Sequence, residues 1–315
     1  MCIRDRFSDY EAKNYDSISQ VLEEYYASRN VYTRIRQKSV DLRKIVSTAL
    51  DRNRKKYQLQ EKQLKDTEKR DKYKVYGELI HTYGYGLEEG AKKLEALNYY
   101  TNEMITIPLD SQLDAKGNAQ KYFDRYNKLK RTYEALSSLT CQVKEEIDHL
   151  ETISTALDIA LKEEDLVEIK EELTQSGYIR RKGGTKKAKI TSRPFHYLSS
   201  DGFHIYVGKN NFQNDELTFK FATGNDWWFH AKGIPGSHVV VKTEGKELPD
   251  RTFEEAGRLA AYYSKGREQE KVEIDYVQKK QVKKPAGAKP GFVVYYTNYS
   301  LMIDSDISGI EKLSD

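Results

Sequence analysis

The spacing of apolar residues differs between the two halves of this 315-residue chain. From about residue 9 to residue 176, apolar side chains recur at steps of three and four, which is the spacing of one face of a helix. From residue 194 onward, short runs alternate apolar and polar positions between turn residues, as strands do. The pattern predicts an α+β fold, with long helices followed by a mixed α/β domain over 194–315.

Two apolar stripes run through the helical half. The first stripe is thin and consists of Ile35, Leu42, Val46, Ala49, Tyr57 and Leu64. The second stripe keeps heptad spacing and consists of Tyr122, Tyr126, Leu129, Tyr133, Leu136, Thr140, Val143, Ile147, Leu150, Ser154, Leu157 and Leu161. Gly84, Gly86 and Pro108 interrupt the pattern between residues 83 and 117 and predict a compact tip. We therefore expect a long antiparallel coiled-coil hairpin over 9–176, although a parallel homodimeric coiled coil would use the same stripes.

The second half contains several strand and turn signals. The Asp201-Gly202 pair predicts a β-hairpin. Asn214 is a candidate cap for a short helix ending at Gly224, which we favour over a strand. Thr252 and Glu255 have the spacing of a capping box and predict the start of another helix. Strands are predicted at residues 195–198, 203–207, 227–231, 238–242, 272–277, 292–297 and 300–303.

Charge is nearly balanced overall but unevenly distributed. Charged residues make up 32% of the chain and apolar residues 38%, with a net charge of +4. The segment 177–193 contains seven basic residues and no acidic one. It is predicted to be a flexible linker that contacts phosphates, or one whose charge only aids solubility. Its candidate RNA contacts are Arg180, Arg181, Lys182, Lys186, Lys187 and Arg193.

The cysteines and the N-terminus bear on location. Cys2 and Cys141 offer neither a disulfide framework nor the spacing of metal ligands, which favours a cytoplasmic protein without a metal or other cofactor. No apolar run approaches the roughly 20 residues that span a bilayer, so no membrane partner is expected. The first residues lack the apolar segment of a signal peptide, and we interpret residues 1–8 as an artefactual or truncated start.

The densest cluster of chemically useful side chains lies between residues 226 and 238. Alternation along a strand places Asp226, Trp228 and His230 on one face and Trp227 and Phe229 on the other. Such a face can stack bases and approach phosphates, with Lys232 and His238 close by in sequence. Alternatively, Asp226, His230 and His238 form a metal or acid–base set of a hydrolase. The histidines also fit buried hydrogen bonds beside a turn.

A second cluster, the lysine loop, covers residues 279–291. It contains five lysines, two prolines, two glycines and no acidic residue. The lysines are Lys279, Lys280, Lys283, Lys284 and Lys289. A basic loop between two predicted strands is typical of an element that binds phosphates, although a plain solvated loop has the same composition.

Several of these segments resemble a known family. Residues 210–215, 225–232, 235–240 and 283–291 resemble the RNA-binding domain of the NFACT family. Residues 99–103, 105–110 and 118–123 resemble the middle region of the same proteins. By this resemblance, contact with tRNA or rRNA is assigned to Asp226, Trp228, His230, Lys232, His238, Lys283, Lys284 and Lys289.

The resemblance also implies a cellular role. Bacterial members of the RqcH type bind large ribosomal subunits obstructed by peptidyl-tRNA, recruit alanyl-tRNA and promote C-terminal alanine tailing. In the family, a domain with an Asp-Arg pair used for tailing precedes the region that this chain resembles. We therefore expect a binding module rather than an enzyme. Similar sequences have been labelled fibronectin-binding proteins, so a cell-surface adhesin that binds fibronectin is the alternative.

Overall fold

The computed structural model describes residues 17–181 and 191–313. The chain divides into two compact units. The helical unit is Leu50–Asp148, and the sheet unit joins Met1–Ala49 to His149–Asp315. The domain boundaries predicted at residues 176 and 193 follow the sequence pattern and stay predictions.

In the part of the chain that the structure describes, five helices precede the main sheet. The hydroxyl of Ser17 caps the first one by accepting from the Gln20 amide. Every position of both apolar stripes is buried or half-buried, because each stripe faces a neighbouring element. The helices are α1 (Ile18–Lys38), α2 (Val40–Thr67), α3 (Arg70–Tyr83), α4 (Ala115–Ile159) and α5 (Glu163–Gln175).

In the helical unit, α3 lies antiparallel to the first part of α4. The guanidinium of Arg70 lies 4.0 Å from the ring centre of Tyr133. One turn and a half further along α3, the Tyr76 ring meets Tyr122 edge to face at 5.4 Å. Rising numbers on α3 therefore meet falling numbers on α4, as in an intramolecular hairpin. The predicted α+β class with long antiparallel helices is confirmed.

The predicted tip contains two strands that the sequence pattern did not reveal. Strand β1 (Lys93–Asn98) pairs antiparallel with β2 (Glu103–Pro108). The turn between them uses Asn102 in the left-handed region, with φ of 56°. Leu94 and Ile107 from the two strands pack on Leu79 and Ile80 of α3. The hairpin thus supplies the tip with its own small core.

Seven antiparallel strands form the centre of the sheet unit. Their order is β10-β7-β5-β6-β4-β3-β11. A separate pair, β8 (Val282–Lys283) and β9 (Val294–Tyr295), belongs to the lysine loop and its continuation. The strand predicted over 292–297 is thus wrong in length, because only two residues pair. The main strands are β3 (Phe195–Leu198), β4 (His204–Val207), β5 (Trp227–Ala231), β6 (Val239–Val241), β7 (Val272–Gln278), β10 (Tyr299–Ile303) and β11 (Glu311–Lys312).

Helix α7 (Asp250–Tyr262) covers one face of this sheet. The predicted capping box is wrong, because Pro249 occupies the N-cap position and the helix begins at Asp250, before Thr252. The Thr252 hydroxyl instead donates to Asp201 at 2.8 Å. The Glu255 carboxylate accepts from the Ser200 amide at 2.9 Å. Both residues therefore fix the β3–β4 turn against the helix.

The opposite face is covered by a short helix and the β8–β9 pair. Helix α6 (Asn211–Glu216) continues into a wider, π-type turn at Leu217–Phe221. The helix preferred from the sequence is present, but its cap is Asn210 rather than Asn214, since the Asn210 side chain accepts from the Gln213 amide at 3.0 Å. Leu217 and Val282 close over Trp228 on this face.

Helix α5 is joined to the start of α6 by buried polar contacts. The Lys209 ammonium lies 3.4 Å from the Asp165 carboxylate, and both side chains are almost fully buried. The Asn210 amide donates to Glu168 at 2.7 Å, and the Asn211 amide donates to Glu172 at 2.7 Å. Buried polar groups need such partners, so these contacts fix the start of α6 against α5.

Candidate nucleic-acid interface

Asp226 sits immediately before the central strand β5 and is only 1% exposed. One carboxylate oxygen accepts from the Thr223 amide at 2.7 Å and from Lys242 at 2.5 Å. The other accepts from the Thr243 amide at 3.0 Å. Asp226 therefore joins the start of β5 to the end of β6.

Burial alone would raise the pKa of Asp226, but these donors outweigh it and hold the pKa below its ordinary value. Its oxygens are taken up by Thr223, Lys242 and Thr243 rather than offered to His230 or His238. The hydrolase set of Asp226, His230 and His238 is not assembled in this structure. Direct RNA contact by Asp226 is likewise unsupported, because its side chain is only 1% exposed.

Trp228 is fully buried in the middle of β5. The two faces of this strand are divided as predicted, since Trp228 packs with Val240 and Val277 while Phe229 packs on the α7 side. The Tyr295 ring of β9 lies over Trp228, with ring centres 5.0 Å apart. No ring face is open to a nucleobase, so we assign Trp228 to the core rather than to RNA contact.

His230 and His238 form a neutral pair next to Trp228. Their ring centres are 5.5 Å apart, and the rings meet edge to face. Burial lowers the pKa of His230 to about 4. Burial, together with His230, also lowers the pKa of His238 well below the ordinary value. Neither ring is therefore cationic at neutral pH, so neither supplies charge for a phosphate.

His238 is also held by α6. Its Nδ1 lies 2.8 Å from the Thr218 hydroxyl, and its backbone amide donates to the Asn214 side chain at 3.0 Å. His238 is only 2% exposed. Its role therefore matches the alternative of a histidine that makes buried hydrogen bonds beside a turn. A direct RNA contact is left open for His230 alone of the pair, because His230 is half-buried.

The lysine loop is attached to α6 through Asp215. This carboxylate forms an ion pair with Lys284 and accepts from the Gly291 amide at 3.0 Å. Gly291 has a φ of +78°, and a side chain there would collide with Asn211. Asp215 thus holds both ends of the segment 284–291. The sequence analysis included Asp215 in the resemblance at residues 210–215 but predicted no role for it.

The lysines predicted to contact RNA differ in exposure and in the carboxylates that lie beside them. Lys283 is exposed, whereas the Lys284 charge is already matched by Asp215. Lys289 is half-buried. Lys232 lies 2.6 Å from Glu273 and 3.9 Å from Asp275, so two carboxylates compete with any phosphate for it. Lys283 is the member of the set best placed to bind RNA.

The linker candidates are only partly described. Arg180 and Arg193 are exposed. Arg181 is exposed as well and forms an ion pair with Glu171 of α5. Lys182, Lys186 and Lys187 lie outside the described residues. RNA contact by this segment stays a prediction.

The described residues contain neither a candidate metal site nor a membrane-spanning helix. Within 17–181 and 191–313, histidine, cysteine, aspartate and glutamate nowhere form a group of three that could hold a metal ion. None of the helices in these ranges is long and apolar enough to cross a membrane.

Comparison with known proteins gives matches to both parts of the chain. The NFACT N-terminal and middle domains match residues 2–192. The RNA-binding domain of NFACT proteins matches residues 193–296, which include the cluster at residues 226–238, here called the β5 motif, and the lysine loop. The border between the two matches falls at the end of the predicted basic linker.

Two curated relatives match almost the whole of this chain. The Rqc2 homolog RqcH of Streptococcus pneumoniae serotype 2 is 39% identical over 310 residues, which is 98% of this chain and 55% of the relative. The Rqc2 homolog RqcH of Bacillus subtilis is 37% identical over 308 residues, covering 96% of this chain and 54% of the relative. The chain spans about half the length of these curated relatives.

A solved structure is also similar. It is the C-terminal part of the fibronectin/fibrinogen-binding protein from Streptococcus suis, at 37% identity and a TM-score of 0.69. The match covers 89% of this chain and all of that structure.

Proposed function

Since the chain belongs to the NFACT family, we propose that it is the RNA-binding part of a ribosome quality control factor. Its partners would be large ribosomal subunits carrying peptidyl-tRNA and the tRNA, alanyl-tRNA in particular, that supports tailing. This role places the protein in the cytoplasm, where ribosomes are found. The observation that carries the proposal is the match of the family's RNA-binding domain to residues 193–296.

The lysine loop supports this proposal through its charge and its anchoring. Lysines that neutralise phosphates release counterions from RNA, which contributes binding free energy without reading sequence. Asp215 and the Gly291 backbone restrain the loop, so less conformational freedom would be lost on binding. We assign Lys283 the main phosphate contact and Lys284 and Lys289 weaker ones.

Buried residues of the β5 motif would act indirectly. Asp226 and Trp228 keep β5 in the centre of the sheet, and His238 holds α6 against it. Because α6 carries Asp215, displacement of this framework would move the lysine loop. The proposed role of these three buried residues is to position the lysines rather than to touch RNA.

The proposal assigns no catalytic step to the described residues. Under this proposal the described residues would supply affinity for the ribosome and tRNA. The adhesin alternative takes its support from the name of the Streptococcus suis protein. Binding of the purified chain to RNA or to fibronectin distinguishes the ribosome quality control role from the adhesin role.

The deciding experiment measures binding of the purified chain to large ribosomal subunits, bulk tRNA and immobilised fibronectin over a range of salt concentrations. We expect RNA and subunit binding that weakens steeply with salt, because phosphate neutralisation gives a strong salt dependence. Fibronectin binding without RNA binding at low salt would overturn the proposal in favour of the adhesin. Absence of binding in all three arms would contradict an autonomous binding role.

A further inference from the structure

A cleft of about 830 Å³ lies on the sheet unit, away from the buried face of the β5 motif. It is bordered by the first residues of α7 and by the segment that follows β6. Ligand sites in proteins occupy about 300–1,000 Å³, so this cleft has the size of a binding site. The residues used below are Asn225, Trp227, Lys246, Asp250, Phe253 and Gln278.

The cleft offers an aromatic surface. Trp227 is half-buried and points to the α7 side of the sheet, opposite to Trp228. Phe253 meets its indole edge to face, with ring centres 4.9 Å apart, which fixes the indole plane. An indole that is held by a second ring yet still partly exposed is a preformed platform for another flat ring.

Polar groups beside the indole suit the edge of a nucleobase. Asn225 and Gln278 each contribute a carboxamide, which can both donate and accept hydrogen bonds. The Asp250 carboxylate adds an acceptor for an amino or imino group. Proteins that recognise unpaired RNA bases combine an aromatic stacking surface with such contacts to the base edge.

Positive charge lies close enough to serve the attached phosphates. Lys246 is exposed and belongs to the wall of the cleft. Lys280 of the lysine loop is exposed as well, and its backbone amide donates to the Gly224 carbonyl at 3.1 Å, next to Asn225. Lys280 therefore lies beside the chain segment that borders the cleft, and the acidic Glu247 and Asp250 favour a base over a phosphate inside the cleft.

We propose that this cleft binds one unpaired nucleobase of an RNA strand, stacked on Trp227 and hydrogen-bonded by Asn225 and Gln278. The inference rests on the proposed RNA-binding function and adds to it a second, single-strand-specific contact. The lysine loop would bind any RNA backbone, whereas the cleft would distinguish an unpaired base from one in a helix, whose ring faces are covered by its neighbours.

Tryptophan fluorescence can test this, because Trp227 and the fully buried Trp228 are the two tryptophans of the chain. The chain is titrated at low salt with an unstructured ribo-oligonucleotide, with a duplex of equal length and with nucleoside monophosphates. We expect the single strand to quench the emission and the duplex to bind with little quenching. Equal affinity for a monophosphate and the single strand would indicate a small-molecule site and overturn the proposal.

Substitutions complete the test. Trp227→Ala should weaken single-strand binding about tenfold, within the range for loss of a stacking aromatic, and leave duplex binding unchanged. Asn225→Ala, at an exposed loop position, should weaken single-strand binding severalfold and decides the matter if Trp227→Ala fails to fold. Tyr296→Ala removes an aromatic that is 68% exposed outside the cleft and is the matched control.

The possible failures are distinguishable. If neither single strand nor duplex binds the wild type, the proposed RNA-binding function itself is contradicted. If both bind and Asn225→Ala matches the wild type without quenching of the emission, RNA binding stands and the nucleobase cleft is wrong.

Discussion

The β5 motif and the lysine loop both predict RNA contact from their sequences, but the structure exposes them to different extents. Asp226 and Trp228 are at most 1% exposed, whereas Lys283 is exposed. Both segments belong to the region that matches the family's RNA-binding domain. A motif can therefore mark a nucleic-acid-binding domain through its framework as well as through its contacts.

Asp215 and His238 link the two regions. His238 binds α6 through Thr218 and Asn214, and Asp215 of α6 binds the lysine loop. Changes in the framework should therefore appear as lost stability first and as lost RNA binding only through it. Substitutions of the lysines should instead weaken RNA binding and leave stability almost unchanged.

The largest effect is expected for Trp228→Ala. Removing a fully buried indole leaves a cavity between β5 and the β8–β9 pair, which should lower the free energy of unfolding by about 3–5 kcal/mol. Urea denaturation followed by circular dichroism measures it. A loss below about 1 kcal/mol, at the level of a surface change, would show that Trp228 is not part of the core.

A somewhat smaller loss is expected for Asp226→Ala. The substitution leaves the buried Thr243 amide, the part-buried Thr223 amide and Lys242 without their acceptor. The penalty for a broken buried pair is about 3 kcal/mol when one partner stays partly exposed. Asp226→Asn retains some acceptors and should lose less. Equal unfolding midpoints for both variants and the wild type would contradict the framework role.

Glu172→Gln tests the contact between α5 and α6 by its pH dependence. Burial raises the pKa of Glu172 to about 7 from an ordinary 4.5, so the folded state favours the protonated form. The wild type should lose stability as pH rises from 4.5 to 7, and the loss is complete above pH 7. Glutamine still accepts from Asn211 and carries no charge.

The variant should therefore equal the wild type below pH 4.5 and exceed its stability by up to about 3 kcal/mol at pH 8. Thermal melts at pH 4.5, 6 and 8 would check this. A stability difference that is independent of pH would show that Glu172 does not titrate in this range.

The smallest effect on stability is expected in the lysine loop. Lys283→Ala should change the unfolding free energy by less than about 0.5 kcal/mol and reduce the salt slope of RNA binding by about one. Lys284→Ala should reduce the slope less, because Asp215 already matches its charge. A larger slope change for Lys284 than for Lys283 would contradict this ranking.

Much of the fold follows from residue spacing. The heptad positions from Tyr122 to Leu157 lie within α4, and the strands at 195–198 and 227–231 agree with the structure to the residue. The β1–β2 hairpin was missed, because each strand has only six residues and the charges of Lys93 and Glu95 break up the apolar pattern of the first. The start of α7 was misplaced, because Thr252 and Glu255 have capping-box spacing but use their side chains on the β3–β4 turn.

The site was predictable in position but not in role. Alternation assigned Asp226, Trp228 and His230 to one face of β5, yet that face is covered by α6 and the β8–β9 pair. Whether a strand face is buried depends on contacts between residues far apart in sequence, such as Trp228 and Tyr295. The spacing of residues along one strand does not encode such contacts. The role of Asp215 and the Trp227 cleft depend on the same long-range packing.

The most direct test of the difference between framework and contact surface is the salt dependence of tRNA binding by three variants. The Lys283→Ala, Lys284→Ala double variant should bind less tightly with a slope shallower by one to two. His230→Gln, which exchanges an already neutral ring, should keep the wild-type slope. The control Lys265→Ala, Lys271→Ala removes equal charge from the same unit and should do likewise. A wild-type slope in the lysine-loop variant, with a shallower one in His230→Gln, would contradict the account.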